Sequence, residues 1–583
     1  MIGGNKHTNP LQPFWLTAAV AAACGPSLLA YNVSPSPTLL NQALALALWG
    51  GFVAVVAAAS TGGRPLRDAA RALALPLLAL GLVLAGVLWS WGPGALPSGL
   101  ALSAAGLLLA ATLLLFSGAV ARAGAAAVPL FVCFCAGWMA AGVLNAGIGI
   151  VQVFAPEAAD GSWLARTGLV GRAVGNLRQP NHLSSLLLWA AIAVVPLAEL
   201  GRLPRRWAWA FFALMCFAVV LTASRTGVLG VGLLALWGLF DRRLSRATRL
   251  MLLAAPLLYL LAWLGLSTWS AASHHAFGGE TRLAEADLSS SRFGIWANTL
   301  SLIRQQPWAG VGFGEFNLAW TLTPFPGRPV AFFDHTHNLP LQLAVELGVP
   351  LAAGVLALLA AALWRVWRLG RHDDDAAGVS VRSAGMMLLL IALHSQLEYP
   401  LWYAYFLLPT AWLLGYGLGR PAAVPAAREA PVGALFGGGL VLALAGVLTV
   451  ADYMSVVRIF APTYGGVPLS RRIAAGERSW LFAHHAGYAS ATINDDIAAA
   501  DPAFRQAPHY LMDTRLMIAW AEALARAGEL DKARHLTQRL REFRNPQADE
   551  FFAPCKDASA AGEPPPFQCE PPKVVPDWRD YLR

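Results

Sequence analysis

Apolar residues form long runs along the chain, separated by short polar segments. A run of about 20 apolar residues is long enough for a helix to cross a bilayer. The pattern predicts about 13 membrane spans, within a range of about 11 to 14 because some runs are short. They lie at 14–31, 38–59, 74–91, 97–119, 126–153, 183–200, 207–222, 227–240, 250–270, 338–363, 383–396, 401–418 and 432–451. The predicted fold is therefore an all-α polytopic membrane protein.

Composition and charge support this prediction and add an orientation. Hydrophobic residues make up 57% of the chain and charged residues 13%, which excludes a soluble protein. Arginines cluster in alternate loops, and short cytoplasmic loops accumulate Lys and Arg. With the N-terminus inside, 154–182, 271–337 and everything after 452 lie outside the cytoplasm. The net charge of +9 follows from this bias and does not indicate nucleic-acid binding.

Three regions follow from the distribution of polar residues. Residues 1–125 form an N-terminal transmembrane scaffold, 126–451 form a transmembrane core, and 452–583 form an external helical domain. The core includes the long external loop 271–337, in which 291–303 has the apolar spacing of an amphipathic interfacial helix. In the C-terminal region, 514–527 and 531–543 are predicted to form a helical hairpin, and the Pro-rich part from about 554 is predicted to be extended or loosely ordered.

Two histidines in one external loop provide the most specific chemical pattern. His335 and His337 directly precede an apolar run, and Asn338, Gln342 and Glu346 follow at intervals of four residues. On a helix this spacing predicts one polar stripe that descends from the histidines into the membrane. Polar groups at that depth are costly unless they face a partner or a water-filled cavity. The pattern predicts a polar site that opens at the membrane surface.

Other external segments add candidate ligands for sugar hydroxyls or phosphate oxygens. One loop gathers four polar residues whose alternative role is ordinary loop solvation: Asn176, Arg178, Gln179 and His182. Asn181, beside them, is explained as a helix cap. Arg225 lies in a tight external turn and is either an anion ligand or an interfacial arginine whose charge reaches water. Arg292 and Arg304 are the anion candidates in the long loop.

Two further pairs are each open to a structural explanation. His394 and Glu398, four residues apart, either form a structural hydrogen bond or take part in catalysis. Cys555 and Cys569 lie in the exported region, where oxidation is possible. We predict that these two cysteines form a disulfide, the alternative being two free thiols.

Three of these segments together resemble a known family. The run from His335 to Gly348 resembles the motif of the O-antigen ligase and O-antigen polymerase superfamily. Residues 176–182 and 394–406 are similar to a narrower branch, the bacterial protein O-oligosaccharyltransferases of the PglL type. The resemblance extends from about 125 to 415, and the C-terminal part is similar to the extra domain of that branch.

The resemblance implies a glycosyltransferase with its active site on the periplasmic face of the bacterial inner membrane. The implied donor is an oligosaccharide on undecaprenyl diphosphate, and the implied acceptor is a Ser or Thr hydroxyl of an exported protein such as pilin. It implies neither a nucleotide sugar nor a metal, and the expected partners are these substrates and membrane lipid, without nucleic acid. Relatives use a saccharide acceptor instead, as ligases or polymerases.

The residues suit that chemistry. Arg225 and Arg292 are the external cations best placed to neutralise a leaving diphosphate. A serine hydroxyl gains from a positioned base, for which the motif favours His337, with His335 as the alternative. The stripe of Asn338, Gln342 and Glu346 either orients His337 or lines the donor cavity. The branch motifs add Gln179 and Tyr405 as further candidates.

A lipid-linked glycan flippase is a less favoured function. Such a transporter would place charged residues near the bilayer midplane and contain internal repeats. The polar groups of this chain cluster instead at the external face, and its sequence contains no detectable repeat.

Overall fold

The computed structural model describes residues 12–60, 66–280, 287–371, 375–420, 432–461, 466–493, 501–561 and 564–582. Within these ranges the secondary structure consists of α-helices and short 3-10 turns, without a β-strand. The α-helices are α1 (Gln12–Leu28), α2 (Leu39–Ala59), α3 (Leu66–Ala72), α4 (Ala74–Trp91), α5 (Ser98–Ala123), α6 (Ala127–Phe154), α7 (Pro180–Glu199), α8 (Arg205–Leu221), α9 (Arg225–Phe240), α10 (Arg246–Leu253), α11 (Ala255–Ser273), α12 (Asp287–Gln305), α13 (Phe316–Leu322), α14 (Leu339–Leu347), α15 (Val349–Gly370), α16 (Ala376–His394), α17 (Ala404–Leu418), α18 (Val432–Phe460), α19 (Leu469–Gly476), α20 (Ala483–Ile493), α21 (Thr514–Arg526), α22 (Leu530–Phe543) and α23 (Asp549–Ala561).

The helices confirm the predicted all-α polytopic membrane fold. Each predicted span coincides with a helix or with a pair of consecutive helices. In the described part of the chain, nine helical segments are long and apolar enough to cross a membrane, counting Arg246–Ser273 as one. The helices α1, α8, α9 and α17 occupy the other predicted spans and have 15 to 17 residues.

One predicted span is broken in two. The sequence predicts a single helix over 338–363, but α14 ends at Leu347 and α15 begins at Val349. Gly348 between them has a φ of +81°, a conformation that glycine adopts without the steric cost of a side chain. The polar stripe therefore lies on a short separate helix, and the apolar span begins after it.

Two compact units form the structure, and each combines three separate stretches of chain. The first unit contains Met1–Leu80, Leu107–Glu285 and Ala357–Val450. The second contains Gly81–Gly106, Ala286–Leu356 and Ala451–Arg583. The division into regions 1–125, 126–451 and 452–583 stays a prediction about segments of the sequence.

The first unit is built around α7. This helix is buried on nearly all sides, and its Trp189 donates a hydrogen bond of 2.9 Å from Nε1 to the carbonyl of Met387. Its apolar sequence is suited to burial on every face, because it contains no charged residue before Glu199. The core around it is rich in aromatic rings, including a stacked pair of Phe134 and Trp412 with centroids 4.6 Å apart.

Glycine allows two helices of this unit to approach closely. A Cβ on Gly118 of α5 would lie 2.1 Å from the carbonyl oxygen of Trp412 on α17. A Cβ on Gly415 would lie 2.0 Å from the carbonyl oxygen of Leu115. The contact between α5 and α17 therefore requires glycine on both helices.

The second unit has its own hydrophobic core, made from distant parts of the chain. Phe316 and Trp320 of α13 and Val345 of α14 are fully buried in the same cluster as Leu536 and Phe543 of α22. The helix predicted over 291–303 is confirmed as part of α12, and its place at the membrane interface stays a prediction. Segments within 295–345 and 491–578 thus form one core and are expected to fold cooperatively.

Arg328 crosses this core as a buried cation. Its Nε lies 3.0 Å from the Glu542 carboxylate, and its guanidinium lies over the rings of Trp320 and Phe543 at 4.7 and 4.6 Å. Burial lowers the pKa of Arg328 to about 10, and Glu542 partly opposes this shift. The ion pair and the ring contacts fix the loop after α13 against α22.

The C-terminal hairpin is confirmed, whereas the Pro-rich part is more ordered than predicted. Helices Thr514–Arg526 and Leu530–Phe543 form the hairpin. The prediction of extended chain from 554 is wrong at its start, because Asp549–Ala561 is a helix that accommodates Pro554. A disulfide joins Cys555 on this helix to Cys569.

Candidate active site

The two motif histidines lie side by side in the loop before α14. The ring centroids of His335 and His337 are 4.2 Å apart. His335 is 5% exposed, whereas His337 is half-buried and presents more of its ring to the surroundings. The φ of His337 is +55°, a left-handed conformation that side chains other than glycine adopt at a cost. The surrounding contacts must therefore hold this turn.

Thr336, between the histidines, supplies those contacts. Its residue is fully buried, and its N–H donates 2.8 Å to Oε1 of Gln342. Its carbonyl accepts 3.0 Å from the indole N–H of Trp296 on α12. Arg292 precedes Trp296 by four residues on the same helix, so both side chains project from one face. This spacing places Arg292 on the side of α12 that faces the histidine loop.

Asp334 is a site residue that the sequence interpretation did not assign. Its carboxylate contacts Nδ1 of His335. Desolvation opposes ionisation of Asp334, although its side chain is 54% exposed. The charge and the hydrogen bond of His335 outweigh this effect and lower the pKa of Asp334. A carboxylate on one imidazole nitrogen fixes the ring orientation. Its adjacency to His335 in sequence was the available signal.

The predicted polar stripe is real, but its members have distinct roles. Asn338 is the N-cap of α14, since its Oδ1 accepts 3.0 Å from the N–H of Leu341. Gln342 donates 2.9 Å from Nε2 to Oε1 of Glu346, and both are buried. The stripe does not descend along a membrane span as predicted, because α14 ends at Leu347. Gln342 instead connects Glu346 to the histidine loop.

Glu346 is held in its neutral form. Burial raises the pKa of Glu346 to about 8, and the nearby Glu315 carboxylate adds to this shift. Hydrogen bonds from the N–H groups of Gly314 and Phe316 and from the amide of Gln342 oppose the shift. At neutral pH the Glu346 carboxyl is therefore mostly protonated. A protonated acid at this point avoids two adjacent buried negative charges.

We expect Glu346→Gln to remove a pH dependence of stability. The pKa of Glu346 in the folded protein lies above its ordinary value, so protonation of this carboxyl stabilises the folded state. This contribution to the free energy of unfolding is complete below about pH 4.5 and is lost as pH rises through about 8. Glutamine resembles the protonated acid and does not titrate. The stability lost by the wild type between pH 5 and 9, relative to Glu346→Gln, should be on the order of a few kcal/mol. Thermal unfolding from pH 5 to 9 measures it.

The exposed Glu477, replaced by glutamine in parallel, serves as the control for that experiment. Its variant should follow the wild-type curve at every pH. A Glu346→Gln curve parallel to the wild type would show that Glu346 ionises normally in the folded protein.

In the first unit, two polar loop residues bind the protein backbone. The Asn176 side chain donates to the carbonyls of Leu28 and Trp163, at 2.6 and 3.0 Å, and is 1% exposed. Arg178 donates 2.5 Å to the carbonyl of Ala30. Asn176 is therefore not a solvated loop residue, whereas Arg178 is half-buried. Their direct substrate contact stays a prediction, and in this structure they shape the external loop.

The helix cap before α7 differs from the predicted one. Gln179 is the N-cap, because its Oε1 accepts 2.9 Å from the N–H of His182. Asn181 instead donates 2.9 Å to the carboxylate of Glu398 and accepts 2.6 Å from the hydroxyl of Ser224. Asn181 therefore joins α7 to the turn after α16 and to the N-cap of α9, and its attribution to capping was wrong.

A second buried polar group surrounds the start of α7. Nδ1 of His182 lies 3.0 Å from the hydroxyl of Tyr405, and the ring also contacts Tyr403. Nδ1 of His394 lies 2.8 Å from the hydroxyl of Ser185. The structure thus brings His182 of the 176–182 segment together with His394, Glu398 and Tyr405 of the 394–406 segment. The hydrogen-bond partner of His394 is Ser185. The sequence did not indicate this role of Ser185, because serine is common in apolar helices.

Arg225 is the first residue of α9 and is exposed. The preceding Ser224 caps the helix by accepting 3.1 Å from the N–H of Gly227. Because the same hydroxyl donates to Asn181, the buried polar group fixes the turn that carries Arg225. An exposed cation at a helix start is suited to an anionic ligand.

Three family models match this chain. The model described as O-antigen ligase matches residues 210–356, which contain the histidine loop, Arg225 and Arg292. The model for a protein glycosylation ligase matches 173–197. The C-terminal model of a virulence factor membrane-bound polymerase matches 384–553. Each of the three segments singled out by the sequence therefore falls within a match.

Two curated relatives are similar to the chain. A general O-oligosaccharyltransferase of Acinetobacter baylyi is 29% identical over 261 residues, which cover 42% of this chain and 43% of the relative. A ComP-specific O-oligosaccharyltransferase of the same species is 26% identical over 286 residues, covering 47% of each. The matched stretches span less than half the length of these relatives.

Proposed function

We propose that this chain, a PglL-type member of the O-antigen ligase superfamily, transfers an oligosaccharide from undecaprenyl diphosphate to Ser or Thr hydroxyls of exported proteins such as pilin. The reaction would take place on the periplasmic side of the inner membrane. The observation that carries the proposal is the paired histidine loop, oriented by Asp334 and held at Thr336, within the O-antigen ligase match.

In this mechanism His337 is the general base. It is the more accessible of the two histidines, and His335 lies against it with its own ring fixed by Asp334. As the acceptor hydroxyl attacks the anomeric carbon, its proton passes to His337 and the bond from that carbon to the diphosphate oxygen breaks. The base later releases the proton to water.

The leaving lipid diphosphate gains negative charge in this step. Arg225 and Arg292 are proposed to neutralise it, since guanidinium groups bind phosphate oxygens through paired hydrogen bonds. Charge that develops only in the transition state is where such cations contribute to rate. The amide and hydroxyl groups around His182 and Tyr405 would contact the glycan.

A saccharide acceptor is the second candidate, favoured by the match of 384–553 to a membrane-bound polymerase. The chemistry at the donor is the same, so only the acceptor distinguishes the two functions. The polymerase would extend a second lipid-linked glycan, and a ligase would glycosylate lipid A core sugar.

The deciding experiment supplies purified full-length protein with a lipid-diphosphate oligosaccharide and one of three acceptors. These are a pilin-like protein, lipid A core oligosaccharide, and a second donor molecule. We expect a glycan-sized mass gain on the pilin-like protein at a Ser or Thr residue. Transfer to either saccharide, with the protein unmodified, would replace protein glycosylation by ligation or polymerisation.

A further inference from the structure

A buried acid and histidine connect the C-terminal region to the loop before α13, which contains Gly310, Gly312 and Gly314 and is called the Gly-rich loop. Nδ1 of His509 lies 2.8 and 2.7 Å from the two carboxylate oxygens of Glu315. Both residues are about 5% exposed or less. One nitrogen within reach of two acceptor oxygens identifies Nδ1 as the protonated donor. Met512 adds a second link, because its N–H donates 2.9 Å to Oδ1 of Asn317.

The Gly-rich loop carries this connection to the end of α14. The N–H of Gly312 donates 3.0 Å to the carbonyl of Glu346, and Val311 pairs in the same way with Val345 at 2.8 Å. Gly310 has a φ of +67°, and a Cβ there would lie 2.5 Å from the backbone of Glu346. Only glycine fits this approach, so the loop and the helix end move together.

From Glu346 the hydrogen bonds continue to the histidine loop. Its carboxyl receives the N–H groups of residues that flank Glu315, and Gln342 donates to it at 2.9 Å. Gln342 in turn accepts from Thr336, between the two histidines, at 2.8 Å. Each of these bonds is buried. Loss of one partner leaves an unsatisfied polar group and shifts its neighbour.

We propose that His509 is a positioning residue for the histidine loop, acting through Glu315, Glu346 and Gln342 on Thr336. The expected effect of His509 on the reaction rate rests on the proposed function, whereas its expected effect on the structure of the histidine loop does not. The C-terminal region would thereby help to build the reaction site, although none of its residues need touch substrate.

The test compares three variants of the full-length protein. His509→Leu removes the donor at similar volume, and His509→Gln keeps an N–H within reach of Glu315. Tyr488→Phe is the matched control, because it removes a 2.7 Å hydrogen bond to Asp513 in the same region without touching Glu315. Turnover per folded molecule and amide hydrogen exchange of the peptide containing Thr336 are measured for each.

We expect His509→Leu to lower kcat about tenfold or more with little change in KM, because small displacements of catalytic groups are costly. The Thr336 peptide should exchange about tenfold faster or more in this variant, since its N–H is held by Gln342. His509→Gln should restore both values to within about threefold, and Tyr488→Phe should change neither.

Unchanged exchange at Thr336 in His509→Leu would overturn the proposal, whatever the activity. Equal loss of activity in His509→Leu and Tyr488→Phe would also overturn it, since that result indicates general destabilisation. If the leucine variant does not fold, His509→Asn replaces it with the same expectations, because its shorter side chain falls short of Glu315. If wild-type protein modifies no acceptor, the proposed function fails while the exchange result still decides the positioning role.

Discussion

Replacing His337 with alanine is expected to lower the rate of glycan transfer by about 10² to 10⁴-fold, the usual contribution of a general base. The physical reason is that an un-ionised serine hydroxyl is a poor nucleophile. KM for both substrates should change little, because the base acts in the transition state. The measurement is the initial rate of acceptor mass gain with saturating donor, normalised to folded protein.

Two comparisons make this result specific. His275→Ala removes an exposed histidine after α11, whose ring contacts the carbonyl of Ser273 and stacks on Trp269, and should leave the rate unchanged. Asp334→Asn keeps the shape of the His335 partner but removes its charge, and should reduce the rate less than His337→Ala does. A His337→Ala variant that retains more than about a tenth of the rate, beside an inactive His335→Ala, would reverse the assignment of the base.

Replacing Arg225 or Arg292 with alanine is expected to lower kcat by about 10² to 10³-fold each, as for the loss of one group that stabilises transition-state charge. Lysine at the same position should recover only part of the rate, because an ammonium cannot form the paired hydrogen bonds of a guanidinium. The rate is measured with the same donor and acceptor, together with donor affinity.

Each arginine has a matched control on a comparable helix. Arg304 lies on α12 with Arg292 but in its last turn, and Arg205 begins α8 as Arg225 begins α9. Alanine at either control position should leave kcat within about twofold of wild type. If all four variants lose activity equally, the effect is on net charge or folding, and the diphosphate role of Arg225 and Arg292 is wrong.

Hydropathy was sufficient to predict the fold because span length and apolar composition are local properties. The break at Gly348 was also visible, since a glycine followed two residues later by Pro350 is a helix stop signal. The four-residue spacing of the polar stripe favoured one continuous helix instead. The periodicity was correct over α14, but it could not show that the helix ends at Leu347.

Side-chain roles at the start of α7 were harder to predict. Gln179 and Asn181 both can cap a helix, and sequence alone favoured Asn181 because asparagine is the commoner cap. Asn181 binds Glu398, 217 positions away, and that partner decides its role. The role of Asp334 could have been predicted from the sequence, because it directly precedes His335 and a carboxylate can bond an imidazole nitrogen.

The pair of Glu315 and His509 was beyond sequence reasoning. These residues are 194 positions apart, and neither stands in a recognisable pattern. Local periodicity carries no information about which distant segments meet. Most of the site residues proposed from motifs lie in buried, hydrogen-bonded positions, but their contacts with substrate stay predictions.

The composition of the second unit's core has a consequence for biosynthesis. Phe316, Trp320 and Val345 pack with Leu516, Phe543 and Trp578 in one cluster. During translation the histidine loop is therefore synthesised more than 160 residues before Ala503 and the cluster members that follow it. The core that α13 and α14 share with the C-terminal region stays incomplete until the chain has been synthesised to residue 578. A nascent or prematurely terminated chain would carry the complete histidine motif without the core against which α14 packs.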